Sequence, residues 1–206
     1  MGAILRYLSH PQVRIDPAVP VPEWGLSDLG RARMEAVSAA PVWARTSRIV
    51  SSAETKAREA ADIFAAALGV AVEIRPASHE NDRSATGFLP PAEFEAMADA
   101  FFAEPDKSVR GWETAAGAQA RIVGEIEAAL ADHDGGDILV VGHGAVGTLL
   151  MCHHAGLAID RRHDQPAGGG NVFSLRIEDR AMLHGWQPVE ALAGGDMVTI
   201  GENVTI

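Results

Sequence analysis

The sequence has little cysteine and little positive charge. Among its 206 residues there is one cysteine, Cys152, so no disulfide can form within the chain and nothing points to an oxidising compartment. Lysine and arginine number 17 against 28 aspartates and glutamates, a net charge of -11. This balance disfavours a broad basic surface for nucleic acid or for anionic lipid. Any anion would therefore have to be bound locally, by a few residues.

Long hydrophobic runs are also missing. No segment approaches the roughly 20 apolar residues that span a bilayer, and the N-terminal MGAILRYLSH is too short for the apolar core of a signal peptide. We therefore expect a cytoplasmic protein with neither membrane nor nucleic-acid partners. The content of 47% hydrophobic and 22% charged residues is that of a folded, soluble chain. The length suits a single domain over residues 1–206.

Strand-like and helix-like segments alternate along the chain. Strands are predicted at residues 3–8, 48–51, 70–75, 138–141, 171–177 and 181–186. Helices are predicted at residues 27–42, with Ser27 as N-cap, at 52–69, ending on Gly69, and at 92–102, 114–133 and after 143. The tail from Leu192 is left unassigned. This order predicts an α/β fold with a mainly parallel sheet, extended by a C-terminal hairpin.

Two irregular segments interrupt the alternation. Prolines at positions 11, 17, 20 and 22 hold an extended loop between the first strand and the first helix. Residues 76–91 form a second long loop that carries several charged side chains. Long loops inside a compact domain more often have a function than serve only as connections.

Two histidines occupy equivalent positions. His10 follows the first predicted strand, and His143 follows the strand at 138–141. Ligands of parallel sheets gather at such strand ends. Either histidine alone could merely cap its strand, but the pair indicates a site if the two strands are neighbours. Gly144 and the following helix N-terminus would offer N–H donors to an anion, and Lys56 would add a cation nearby.

The ordered set of motifs resembles the histidine phosphatase superfamily, the phosphoglycerate-mutase-like clan. The matching segments are LSHP (8–11) for the family's L-x-R-H-G, LSDLG (26–30) for L-T-x-x-G, SSAETKA (51–57) for S-S-x-x-x-R-A, WET (112–114) with Arg121 for the G-E-S helix start, and VGHG (141–144) for S-H-G-G. The last match is the most specific, and the set covers most of the chain.

The resemblance implies a three-layer α/β/α fold and a phosphatase or phosphotransferase that needs neither metal nor cofactor. By this resemblance His10 would accept the phosphoryl group as phosphohistidine, and Glu80 would protonate the leaving group. His143 and Lys56 would stabilise the phosphoryl oxygens, with Gly144 beside them. The substrate would be a small phosphorylated metabolite or a phosphoprotein. Little beyond a nucleophile and positive donors is needed for such chemistry.

The sequence departs from the family pattern at three positions. Ser9 and Lys56 stand where the family has arginines, so two bidentate guanidinium groups are replaced by a hydroxyl and a point charge. Pro11 replaces a glycine and fixes the backbone after the histidine. Arg14 or Arg83 could supply the missing cation, and Arg83 is slightly favoured because it lies beside the proposed acid.

Two alternatives stay open at this point. The lost arginines are compatible with a degraded family member that binds a phosphorylated ligand or a protein partner without turnover. A metal-dependent hydrolase built on the remaining histidines is weaker, because the adjacent His153 and His154 do not face the same direction on a helix. We therefore expect no metal site, and the oligomeric state is left open.

Overall fold

A six-stranded mixed sheet forms the centre of residues 2–194, the part of the chain that the computed structural model describes. Its strands are β1 (Ile4–Ser9), β2 (Thr46–Ser51), β3 (Val72–Ile74), β4 (Asp137–Gly142), β5 (Asn171–Arg176) and β6 (Met182–Pro188). Their spatial order is β3-β2-β4-β1-β5-β6. The first four strands pair in parallel, whereas β5 pairs antiparallel with β1 and β6 antiparallel with β5. The predicted mainly parallel sheet with a C-terminal hairpin is confirmed.

Within residues 2–194, six α-helices connect and flank the strands. They are α1 (Asp28–Ser38), α2 (Thr55–Leu68), α3 (Pro91–Ala103), α4 (Ala115–Ala131), α5 (Gly144–Ala155) and α6 (Val189–Ala193). The Ser27 hydroxyl caps α1 by accepting a hydrogen bond from the N–H of Gly30, at 3.1 Å. Gly69 ends α2 with a φ of 69°. The predicted end of α1 at residue 42 was wrong, because Pro41 cannot continue a helix and begins a separate 3-10 turn.

Two hydrophobic cores lie on opposite faces of the sheet. Successive strand residues point to opposite faces, so Tyr7 packs with α3, α4 and α5, whereas its neighbour Leu8 packs with α1, α2 and α6. Both side chains are fully buried. The helices therefore form a layer on each face, and the predicted three-layer α/β/α fold is confirmed.

Strands β1 and β4 are direct neighbours in the sheet. Ser9 pairs with Gly142, and the His10 N–H donates to the Gly142 carbonyl at 2.9 Å. A Cβ atom on Gly142 would lie 2.3 Å from the Tyr7 hydroxyl oxygen, so only glycine fits at this strand end. The same hydroxyl accepts from the N–H of His143 at 3.1 Å. The two histidines thus leave adjacent strands at the same edge of the sheet.

Two further expectations concern the tail and the membrane. Part of the unassigned tail forms the short helix α6, and residues 195–206 lie outside the described part of the chain. None of the helices within residues 2–194 is long and apolar enough to cross a bilayer. Cys152 is buried within α5, as a free thiol.

Candidate active site

His10 borders a cavity of about 220 Å³ at the carboxyl edge of the sheet, together with Glu80, Arg83 and Gly144. Its Nδ1 lies 2.9 Å from the Pro11 carbonyl oxygen, so Nδ1–H donates there and the lone pair is left on Nε2. Burial, assisted by the charge of Lys56, lowers the pKa of His10 to about 4. The imidazole is therefore neutral near pH 7, as a nucleophile must be. Pro11, despite replacing a glycine, supplies the carbonyl that orients this ring.

His143 lies beside His10, with ring centroids 5.3 Å apart and ring planes at 71°. It is fully buried, and burial lowers its pKa well below the ordinary value of 6.5. Its Nε2 is 2.7 Å from the Ser52 hydroxyl and 3.5 Å from a carboxylate oxygen of Glu54. Its Nδ1 is buried and has no hydrogen-bond partner among the described residues. An unsatisfied buried nitrogen next to His10 is a position where a ligand atom would be stabilised.

Glu54 is the residue of this site that sequence analysis missed. One carboxylate oxygen lies 2.5 Å from the Lys56 ammonium, and the other accepts the backbone N–H of Glu80 at 3.0 Å. Burial raises the pKa of Glu54, but His143, Lys56 and these hydrogen bonds outweigh burial and lower the pKa to about 2. Lys56 is itself buried and also donates to the Val21 carbonyl at 2.9 Å. The cation expected to bind a phosphoryl group is thus already paired with a carboxylate.

Glu80 occupies the N-terminus of α5. Its carboxylate accepts the N–H groups of Ala145 at 3.2 Å, Val146 at 3.0 Å and Asn81 at 3.1 Å. Burial raises the pKa of Glu80, against the opposing effects of Arg83 and these backbone donors. A raised pKa suits a carboxyl group that has to hold a proton. The donors at the start of α5 that sequence analysis assigned to an anion are therefore bonded to Glu80.

Ser9 is fully buried and holds a polar network at the cavity wall. Its hydroxyl donates to the Gln165 side-chain oxygen at 2.5 Å and accepts the N–H of Asn171 at 3.1 Å. Gln165 lines the cavity, and a Cβ atom on Gly144 would lie 2.2 Å from its amide nitrogen. Gly144 is therefore required for the approach of Gln165. Gln165 is a second residue that the sequence motifs did not indicate.

The two arginines considered as replacements occupy different places. The Arg83 guanidinium lies 4.9 Å from the ring centre of Phe94 and 6.0 Å from that of Trp112, at the wall of the His10 cavity. Arg14 lies exposed in the proline-rich loop, where its backbone N–H donates to the Gly25 carbonyl at 3.0 Å. The structure therefore brings Arg83 to the site and leaves Arg14 outside the cavity lining.

Arg121 holds the loop that carries Glu80. It makes two hydrogen bonds to the Glu113 carboxylate, at 2.9 and 2.7 Å. It also donates to the backbone carbonyls of Ala77, His79 and Glu80, at 2.7, 2.9 and 3.3 Å. These contacts fix the backbone of the loop rather than reach the cavity, so Arg121 positions Glu80.

Comparison with known proteins identifies both a family and a fold. A family model described as the histidine phosphatase superfamily (branch 1) matches residues 17–186, a range that begins after the LSHP motif. A sequence search against curated proteins gave no significant match.

Three solved structures have the same fold. A mycobacterial glucosyl-3-phosphoglycerate phosphatase with inorganic phosphate has a TM-score of 0.74 at 19% identity, over 91% of this chain and 99% of that one. YhfR of Bacillus stearothermophilus has a TM-score of 0.75 at 18% identity, over 89% and 95%. A phosphoserine phosphatase of Entamoeba histolytica with 3-phosphoglyceric acid has a TM-score of 0.73 at 14% identity, over 90% and 97%.

Proposed function

The chain belongs to the histidine phosphatase superfamily, and from this premise we propose that it is a metal-independent phosphatase that acts through a phosphohistidine on His10. The observation that carries the proposal is the His10 ring, which lies at the cavity with its Nδ1–H bonded to Pro11 and its Nε2 lone pair available. The substrate is a phosphate monoester, either of a small metabolite or of a protein. Glucosyl-3-phosphoglycerate phosphatase and phosphoserine phosphatase, which share the fold, act on phosphate monoesters by name.

The reaction has two steps. In the first, Nε2 of His10 attacks phosphorus, the ester P–O bond breaks, and Glu80 gives its proton to the departing alkoxide. In the second, the Glu80 carboxylate takes a proton from water as the water oxygen attacks phosphorus. The P–N bond then breaks, inorganic phosphate leaves, and His10 and Glu80 return to their starting states.

Arg83 and His143 stabilise the phosphoryl oxygens in this proposal. Arg83 contributes the positive charge that Lys56, paired with Glu54, no longer presents in full. A bond from Nδ1–H of His143 to a phosphoryl oxygen would satisfy its unpartnered atom. That bond requires the tautomer in which the Ser52 hydroxyl donates to Nε2, at 2.7 Å. Glu54, 3.5 Å from Nε2, opposes this tautomer because a carboxylate favours a proton on the nitrogen that faces it.

Covalent labelling tests the proposal. Incubation with a 32P-labelled phosphoester and denaturation in alkali should yield a protein-bound label that is lost in acid. His10→Ala should abolish the label, whereas His153→Ala, an exposed histidine at the far end of α5, should retain it. A label that survives in His10→Ala, or equal hydrolysis by that variant and the wild type, would exclude the mechanism.

The second candidate function is phosphoryl-ligand binding without turnover. The observation that favours it is Glu54, which pairs with Lys56 and faces His143 where phosphate binding requires positive charge. Under this alternative, isothermal titration calorimetry detects phosphate or vanadate binding while no phosphohistidine forms. Accumulation of the 32P label on His10 would exclude this alternative.

A further inference from the structure

An apolar cavity of about 250 Å³ adjoins the cavity of His10. Arg83 and Glu95 are its charged lining residues, and its apolar lining residues are Ile15, Val21, Trp24, Phe88, Leu89, Pro91 and Phe94. The Trp24 and Phe88 rings contact one another, with centroids 5.7 Å apart. Phe88 is 37% exposed and Ile15 53% exposed, so this apolar surface is open to a ligand.

Arg83 and Phe94 line both cavities, so the two cavities are adjacent and meet at this pair of side chains. The Arg83 guanidinium lies against the Phe94 ring. A planar cation in this place can face an anionic group on the His10 side and an apolar group on the other side. The leaving group of a phosphate ester bound at His10 would reach these apolar side chains by extending past Arg83.

Carboxyl groups outnumber cations around the two cavities. Glu80, Asp164 and Glu95 line them against Arg83 and Arg161, and Arg161 is already paired with Glu95 and Asp99. A further cavity of about 690 Å³ shares Arg83 and Phe88 with the apolar one and is lined by Glu54, Glu80 and Asp82. Arg83 is its one cationic lining residue among the described ones, against the carboxylates of Glu54 and Asp82, whose pKa values are lowered; Glu80 holds its proton in the first step proposed above. A second carboxylate or phosphate on the substrate would meet like charge, whereas an uncharged apolar group would not.

We propose that the substrate is a phosphate monoester of an uncharged apolar or aromatic alcohol, whose apolar group occupies the cavity of Trp24, Phe88 and Phe94. The proposal rests on the phosphatase function proposed above and adds the class of leaving group. Apolar contact supplies its binding, and the surrounding carboxyl groups exclude phosphorylated acids.

A matched pair of substrates tests the proposal. Hexyl phosphate and 6-phosphonooxyhexanoate are both esters of primary alcohols, so their intrinsic reactivities are similar and they differ in the distal carboxylate. We expect kcat/KM to be about tenfold or more higher for hexyl phosphate. Equal values, or a preference for the carboxylated ester, would overturn the inference and leave the proposed phosphatase function intact.

The Phe88→Ala variant tests whether the preference for the uncharged ester arises in the apolar cavity. The variant should lower kcat/KM for hexyl phosphate about five- to tenfold, because part of the apolar contact is removed. It should leave kcat/KM for methyl phosphate unchanged, because a methyl group does not reach this cavity. The matched control is Leu183→Ala, which removes a similarly exposed apolar side chain from β6. Equal loss with both esters, or in both variants, would contradict the assignment.

Calorimetric binding measurements test the inference even if the protein does not turn over substrate. Hexylphosphonate and 6-phosphonohexanoate lack a scissile ester bond, so their binding is independent of catalysis. Tighter binding of hexylphosphonate, weakened by Phe88→Ala, supports the apolar site. Equal or tighter binding of the carboxylated phosphonate overturns it. The phosphatase function is judged separately, by the label on His10.

Discussion

At the scale of single residues, Glu54 governs how much positive charge the site presents to an anion. Its carboxylate binds Lys56 at 2.5 Å and lies 3.5 Å from Nε2 of His143. The negative charge of Glu54 offsets much of the positive charge of Lys56. A phosphate dianion in this site would therefore be attracted less strongly than by an unpaired lysine. The affinity of the site for phosphate is therefore limited by Glu54, in addition to the loss of the family arginines.

Glu54→Gln should tighten the binding of inorganic phosphate or vanadate. The amide keeps the shape of the side chain but removes its negative charge, and it no longer opposes a proton on Nδ1 of His143. We expect about tenfold tighter binding near pH 7.5, measured by calorimetry. Glu59→Gln is the control, because Glu59 lies in α2, shortly after Glu54 in the chain, and pairs with Arg31 outside the site. Weaker binding by Glu54→Gln would mean that Glu54 supports a protonated His143.

The pH dependence of hydrolysis should have two limbs. The acid limb lies at about pH 4, because kcat/KM falls when His10 becomes protonated and loses its lone pair. The alkaline limb is set by Glu80, whose raised pKa delays the loss of the proton that the leaving group needs. The test is kcat/KM from about pH 3.5 to about pH 8. Glu80→Gln should remove the alkaline limb and retain the acid one. If the alkaline limb persists in Glu80→Gln, the titration of a group other than Glu80 causes it.

Sequence motifs indicated His10 and His143, which the structure brings together, but not Glu54 or Gln165. His10 and His143 were found because each follows a strand, a position that local patterns reveal. Glu54 was not found, because a carboxylate in the first turn after a strand is most often a solvated or capping group. Its proximity to Lys56 in SSAETKA was the available signal. Gln165 reaches the site through a loop contact with Ser9, 156 residues apart, which no local pattern encodes.

At the scale of elements, helix α5 and the loop of Glu80 depend on one another. Glu80 accepts two N–H groups at the start of α5, and a carboxylate is favoured there by the helix dipole. Arg121 anchors the same loop through three backbone carbonyls. The proposed proton donor is thus held by backbone contacts at both ends, which fixes its distance from His10.

Two substitutions of Glu80 separate its capping role from its chemical role. Glu80→Gln keeps an amide oxygen for the helix N-terminus but has no proton to give, so kcat should fall about a hundredfold with little change in stability. Glu80→Ala loses both functions and should also lower the free energy of unfolding by about 1 kcal/mol. Steady-state kinetics and urea denaturation measure the two effects. A large stability loss in Glu80→Gln would show that the charge itself holds the cap.

Element types were predictable from sequence, whereas element ends and pairing needed the structure. Short apolar runs, and alternation at residues 70–75, located the strands, and Ser27 and Gly69 marked helix ends through their own capping chemistry. The end of α1 was wrong because apolar residues continue beyond Ser38, although Pro41 stops the helix. That β1 and β4 are neighbours depends on packing between residues more than 130 positions apart. Sequence analysis left this adjacency as a condition, although the motif resemblance implied that the two histidines share one site.

At the scale of the whole molecule, burying neutral histidines should make the fold sensitive to acid. Burial lowers the pKa of His10, His143 and His154, so the unfolded chain binds more protons than the folded one below about pH 6.5. Stability is therefore lost as pH falls from about 6.5 toward about 4. Glu54 also makes the fold less stable in acid, but at lower pH. Its pKa is about 2 in the folded protein and 4.5 in the unfolded chain, so its stabilisation is complete above pH 4.5 and is lost as the pH falls toward about 2. Glu80, with a raised pKa, opposes this trend.

His10→Asn tests how much of this sensitivity comes from the site. The pKa of His10 is 6.5 in the unfolded chain and about 4 in the folded protein. When the pH is lowered from about 7 to about 5, this difference alone should decrease the free energy of unfolding by roughly 2 kcal/mol. The variant should therefore lose roughly 2 kcal/mol less than the wild type over this interval, as measured by urea denaturation at both pH values. His153→Asn, at an exposed position, should behave like the wild type. An unchanged loss in His10→Asn would mean that the pKa of His10 is the same in the folded and unfolded protein, so that burial does not keep the imidazole neutral at about pH 5.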